Sequence, residues 1–151
     1  MMRRVIDLLM GSAGTDSPAE QRDDSYDTLL AVCALFVEIA AIDGKFTHAE
    51  RDRIVSILKS EYGLSHQDAS ELMKISKEEL RRSLDYWRFT NLINQNYSMD
   101  EKIRIIELLW RIVYTDGKLE QHEDYLIKKL SRLLAIPHSE FIAAKLRMKQ
   151  H

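Results

Sequence analysis

Proline and glycine are scarce in this 151-residue chain, with two and five copies. So few breakers leave room for long helices and few sharp turns. Cysteine occurs once, as Cys33, which excludes an intramolecular disulfide. With no secretory signal in view, that fits a reducing, cytoplasmic setting. The longest apolar run, Leu29 to Val37, falls far short of the about 20 residues that span a bilayer. Neither sign of charge dominates: 22 Lys and Arg face 24 Asp and Glu, a net charge of −2. A chain so balanced has no global attraction for nucleic acid or for an anionic membrane. Also missing are a glycine-rich phosphate loop, a nucleophile elbow and a helix with paired histidines, so no enzyme activity is expected.

The rest of the composition is that of a globular protein, 45% hydrophobic and 30% charged. The length suffices for one domain with a real core. One short stretch is used twice. It reads Asp43-Gly44-Lys45-Phe46-Thr47-His48-Ala49-Glu50 and then Asp116-Gly117-Lys118-Leu119-Glu120-Gln121-His122-Glu123. The offset is 73 residues from Asp43 to Asp116, from Glu50 to Glu123 and from Ile54 to Ile127. Each copy follows a long apolar run and leads into an amphipathic helix.

Apolar spacing and capping signals predict an all-α, single-domain helical bundle of about seven to eight helices, with no sustained strand alternation. Two pseudo-repeats, about 27–62 and 98–134, would share one core within a domain covering 25–151. Residues 1–24 are expected to form a short amphipathic piece, Met1 to Met10, and a loop, Gly11 to Asp24, in which Ser17-Pro18 offers a helical start. Asp27 to Ile42 is apolar on nearly all sides and should be buried. Thr47-His48-Ala49-Glu50 is a capping box, Gly63 a helix stop, and Ser65, Ser76 and Ser98 further starts. The helix after Ser98 runs through Trp110 to Val113. Pro137 opens a last helix with Phe141, Ile142 and Leu146 as its apolar face. Tyr86-Trp87 reads as core or interface packing. Arg81-Arg82 with Trp87-Arg88 is a weak nucleic-acid signal, diluted by Glu78, Glu79 and Asp85.

Glu38 interrupts the most apolar helix, and nothing one turn away along the helix can pair with it. A buried carboxylate needs a donor, a cation or a proton. Glu107 has Arg104 and Arg111 at helical spacing. The Asp-Gly turns imitate the end of a calcium loop. Its first ligand positions, however, hold Ile39 and Ala41, and Ile112 and Tyr114, which excludes an ordinary EF-hand. Two readings stand. In one, Asp-Gly stops a helix and the later glutamate caps the next. In the other, the carboxylates converge on a cation. Oxygen ligands would suit magnesium, calcium or manganese, and His48 or His122 would favour zinc.

The two units, above all Val37-Glu38-Ile39-Ala40-Ala41-Ile42-Asp43-Gly44-Lys45 and Trp110-Arg111-Ile112-Val113-Tyr114-Thr115-Asp116-Gly117-Lys118, resemble the tellurite-resistance TerB family. The resemblance covers roughly Thr28 to Leu134. It implies a compact helical domain of two pseudo-repeats, an acidic patch for a divalent metal, and a role in bacterial metal or chemical stress. Carried onto this sequence, the metal-binding positions are Glu38, Asp43 and Glu50, then Glu107, Asp116 and Glu123. Glu38 and Glu107 lie 69 residues apart rather than 73, so they are not equivalent by repeat. The resemblance also implies a protein partner and peripheral association with the inner face of the membrane, without nucleic acid. The alternative is a metal-free helical scaffold for protein–protein contact. Oligomeric state is left open.

Overall fold

The two most apolar stretches of the chain become the two helices against which the others pack. The computed structural model describes residues 19–42, 44, 46–82, 86–114 and 121–149, the side chains of 19–25 and 121–122 excepted. These residues form seven α-helices: α1 Ala19–Ala41, α2 His48–Tyr62, α3 His66–Arg82, α4 Trp87–Asn96, α5 Met99–Val113, α6 Gln121–Leu133 and α7 His138–Lys149. No strand occurs among the described residues, as the apolar spacing predicts. None of the described helices is long and apolar enough to cross a membrane.

From Thr28 to Ala40 every side chain of α1 except Glu38 is buried. Helices α2, α3, α4, α5 and α6 all touch it. Each of its neighbours is amphipathic and gives up one face: Ile54, Ile57 and Leu58 from α2, Leu72 and Met73 from α3, Phe89 and Ile93 from α4. Helix α5 is the second hub and touches α1, α2, α6 and α7. Its Trp110 is fully buried and packs on Phe141 of α7, ring centroids 5.9 Å apart. Each large aliphatic or aromatic side chain so enclosed contributes about 1.5–3 kcal/mol.

The capping signals are met where sequence places them. Thr47 and Ser98 each accept from the backbone of the residue three on, and Glu50 and Glu101 reach back to the cap N–H. The Asp68 N–H bonds to Ser65 Oγ at 3.0 Å. Gly63 takes φ +72°, and its N–H and that of Leu64 return to Lys59 and Leu58.

Other expectations are corrected. Helix α1 begins at Ala19, about two turns before Asp27, so the expected loop ends sooner. No glycine or proline lies between Ala19 and Ala41 to stop the helix extending backwards. Met1 to Met10 and Ser17-Pro18 lie outside the described residues. Ser76 starts no helix. Helix α3 runs through it, and its buried hydroxyl folds back onto Leu72 O at 2.8 Å. Trp87, 58% exposed, is not a core residue, and on α7 the buried face is Phe141 and Ala144 while Ile142 and Leu146 are exposed. Helix α6 ends without a glycine: Ala135 adopts φ 59°, and Ile136 N–H reaches Ser131 O.

Gly63 and Ala135 form a matched test. A Cβ at Gly63 meets nothing within 4 Å, so Gly63→Ala carries only the left-handed backbone penalty. It should cost about 1 kcal/mol, and Ala135→Gly should gain a similar amount. Urea unfolding measures both, and m should not change. A second prediction concerns alkali. Burial pushes the phenols of Tyr26 and Tyr97 up to about 12, and that of Tyr62 upward as well. A raised folded pKa means stability that is complete below the unfolded value of about 10. Stability should therefore fall as pH rises from about 10 to 12, in step with tyrosinate absorbance.

Candidate functional site

The first acidic turn is built by the end of α1 and the start of α2. Gly44, at φ +84°, donates its N–H to Ala41 O at 3.0 Å and so ends α1. Phe46 is half-buried, and Lys77 of α3 lies 4.5 Å from its ring centre. Glu50 is buried in the first turn of α2, and its Oε1 accepts from Thr47 N at 3.0 Å and from Thr47 Oγ1 at 3.1 Å. The capping reading of Glu50 is therefore realised. His48 is exposed. Asp43 and Lys45 lie outside the described residues. So do 115–120, which include Asp116 of the second turn. Glu123, in the first turn of α6, is 2% exposed.

Glu38 is half-buried, and its donor comes from far along the chain: Tyr86, at the start of α4, donates its hydroxyl to Oε2. Burial raises the Tyr86 phenol above its ordinary value, and the Glu38 hydrogen bond and charge raise it further. Lys129 of α6 sits 5.4 Å from the Tyr86 ring centre. The contact thus joins α1, the α4 start and α6. Sequence spacing gave no sign of it, because Tyr86 is 48 residues from Glu38.

Glu107 faces guanidinium groups on both sides. Arg104, one turn back on α5, bonds Oε1 at 2.9 Å; Arg147 of α7 bonds Oε2 at 2.8 and 2.7 Å. Arg104 also forks onto Glu61 of α2 at 3.1 and 2.7 Å, and that hydrogen bond lowers the Glu61 pKa. The Arg104 partnership follows the helical spacing; Arg147 enters from 40 residues away. Arg53 and Arg111 line the same cavity as these groups.

The four described carboxylates of the expected metal set thus sit in different settings. Glu38 meets a tyrosine, Glu50 its own cap, Glu107 two arginines, and Glu123 is enclosed at the start of α6. Among the described residues, no group of three or more His, Cys, Asp or Glu could hold a metal ion. The weak nucleic-acid signal is also balanced by charge: Arg81 pairs with Glu78, and Arg88 with Glu79 at 3.3 Å. Cys33 is fully buried beside Ser76, and burial pushes its thiol up to about 12, which removes it as a nucleophile.

No curated protein and no solved structure gives a significant match to the chain. A family model described as Tellurite resistance protein TerB matches residues 29–146, from the buried part of α1 to the last turn of α7. That match takes in both Asp-Gly turns and most of the chain, which belongs to the TerB family.

Proposed function

We propose that this chain is a non-catalytic TerB-like module of bacterial metal or chemical stress response that takes a divalent cation at its acidic turns. Asp43 and Asp116 would be the principal ligands, with Glu38, Glu50, Glu107 and Glu123 as the surrounding carboxylates. The observation behind this reading is the repeated turn, which lies inside the family match in both copies. A hard dication would supply the charge that lets carboxylates gather without repelling one another. Glu50 has its Oε1 engaged in the cap, which leaves Oε2 for a cation. Glu107 would have to exchange arginine partners for metal, so it ranks last among the six. A protein partner, reached from the cytoplasm or at the inner membrane face, would read the loaded or empty state.

One observation favours a second reading, a metal-free scaffold for protein contact. Glu38, Glu50 and Glu107 already have protein partners, so none needs a cation to be satisfied.

Melting curves separate the two readings. Protein freed of metal on a chelating resin is titrated with magnesium, calcium, manganese and zinc. A cation at 100 times its Kd stabilises the folded state by about 2.7 kcal/mol. For a chain of this size that raises Tm by roughly 5–10 °C. Asp43→Asn and Asp116→Asn should each abolish the rise, and Glu107→Gln should leave most of it. If no cation moves the wild-type Tm, the scaffold reading replaces ours.

The Glu38 contact makes a separate prediction. Tyr86→Phe removes the donor to a half-buried carboxylate and should cost about 1–2 kcal/mol in urea unfolding. Glu38→Leu in the Tyr86→Phe background should recover part of that loss. Simple additivity of the two changes would show that the contact contributes nothing.

A further inference from the structure

Helices α1, α3 and α4 do not close completely on one another. They leave a cavity of about 270 Å³ whose floor is the buried side chains of Leu30 and Phe89. Ile75 of α3 and Leu92 of α4 form half-buried apolar walls. The rim carries Glu79 and Arg88, paired at 3.3 Å, with Arg88 exposed to solvent. The volume lies below the roughly 300–1,000 Å³ typical of small-molecule sites. Apolar walls and small size suit a few aliphatic side chains entering from a neighbouring segment better than a whole ligand.

We propose that the segment preceding α1, residues 2–10, folds back as a short amphipathic helix and seats its apolar stripe in this cavity. Met2, Val5, Ile6 and Leu9 recur at i, i+3, i+4 and i+7, which is one face of a helix, and Arg3, Arg4 and Asp7 fall opposite. A helix this short is marginal alone in water, so its stripe must be covered for it to persist. The length of chain outside the described residues permits the return. Helix α1 starts at Ala19, and Leu30 lies eleven residues along it, about 16 Å by helical rise. The eight residues 11–18 can span up to about 26 Å when extended. Gly11 and Gly14 within them give the backbone freedom to reverse direction. The dock shares no residue with the Asp-Gly turns, so this inference does not rest on cation binding there, and each can fail alone.

The test is paramagnetic broadening on the full chain. A nitroxide is attached at Asp7→Cys, on the polar face of the segment, where it leaves the apolar stripe intact. Cys33 is fully buried and its thiol is pushed up to about 12, so at neutral pH the new thiol alone is labelled. Amide signals of residues 75–79 and 88–92 should lose most of their intensity against the same sample after the nitroxide is reduced. Those of α7, which packs on α5 and α6, should keep theirs. Adding Val5→Asp and Leu9→Asp to the labelled chain should restore the lost signals. Both positions lie outside the seven helices, and circular dichroism confirms that the variant is folded. Broadening spread evenly over exposed residues around Ala19 overturns the proposal, because that is the mark of a tethered but undocked label. So does selective broadening that Val5→Asp and Leu9→Asp leave unchanged. A mixture of nitroxide-bearing chain with unlabelled, isotope-enriched chain should show no loss at 75–79 and 88–92. Equal loss in that mixture assigns the cavity to the segment of a second copy and overturns docking within one chain.

Discussion

Everything in this molecule depends on keeping α1 out of water over most of its length. From Thr28 to Ala40 only Glu38 retains substantial exposure, and five other helices supply the covering faces. Hydrophobic burial of that extent is what offsets the conformational entropy of ordering so many short helices. It also limits where chemistry can occur. Cys33 lies inside the enclosed run with its thiol raised, so it packs as a small apolar group. The candidate carboxylates are left to the helix ends, where α1 gives way to Gly44 and α2, and to half-buried positions such as Glu38 and Glu107.

Much of this was legible in sequence because the signals are local. A helix apolar on nearly all sides has nowhere to go except the centre, and Thr47, Ser98 and Gly63 mark ends through contacts within a few residues. The parts that were not legible depend on distant contacts or on ambiguous signals. Ser76 carries the same residue types as a cap, yet the buried stripe of α3 runs straight through it and its hydroxyl bonds backwards instead. Ala135 ends α6 in a conformation usually given to glycine, so no punctuation announced it. Trp87 is exposed because α4 buries Phe89, Thr90 and Ile93 on its inward face.

The candidate site divides in the same way. That Glu38 needed a partner followed from the helix around it; that the partner is Tyr86 depends on α4 crossing α1. Of the two arginines at helical spacing from Glu107, Arg104 bonds it, while Arg147 and Glu61 join only because α7 and α2 flank α5. Where α2, α5 and α7 meet, the guanidiniums of Arg104 and Arg147 are held by the carboxylates of Glu61 and Glu107.

Manganese-induced line broadening in an amide spectrum of the whole chain tests the proposed role most directly. At a manganese level far below the protein concentration, a cation site at the turns should selectively erase the signals of residues 43–46 and 115–119 and spare those of residues 62–64 and 98–101, at the opposite ends of α2 and α5. Broadening spread evenly over exposed acidic side chains such as Glu78 and Glu140, or none at all, would contradict a cation site built from the two Asp-Gly turns.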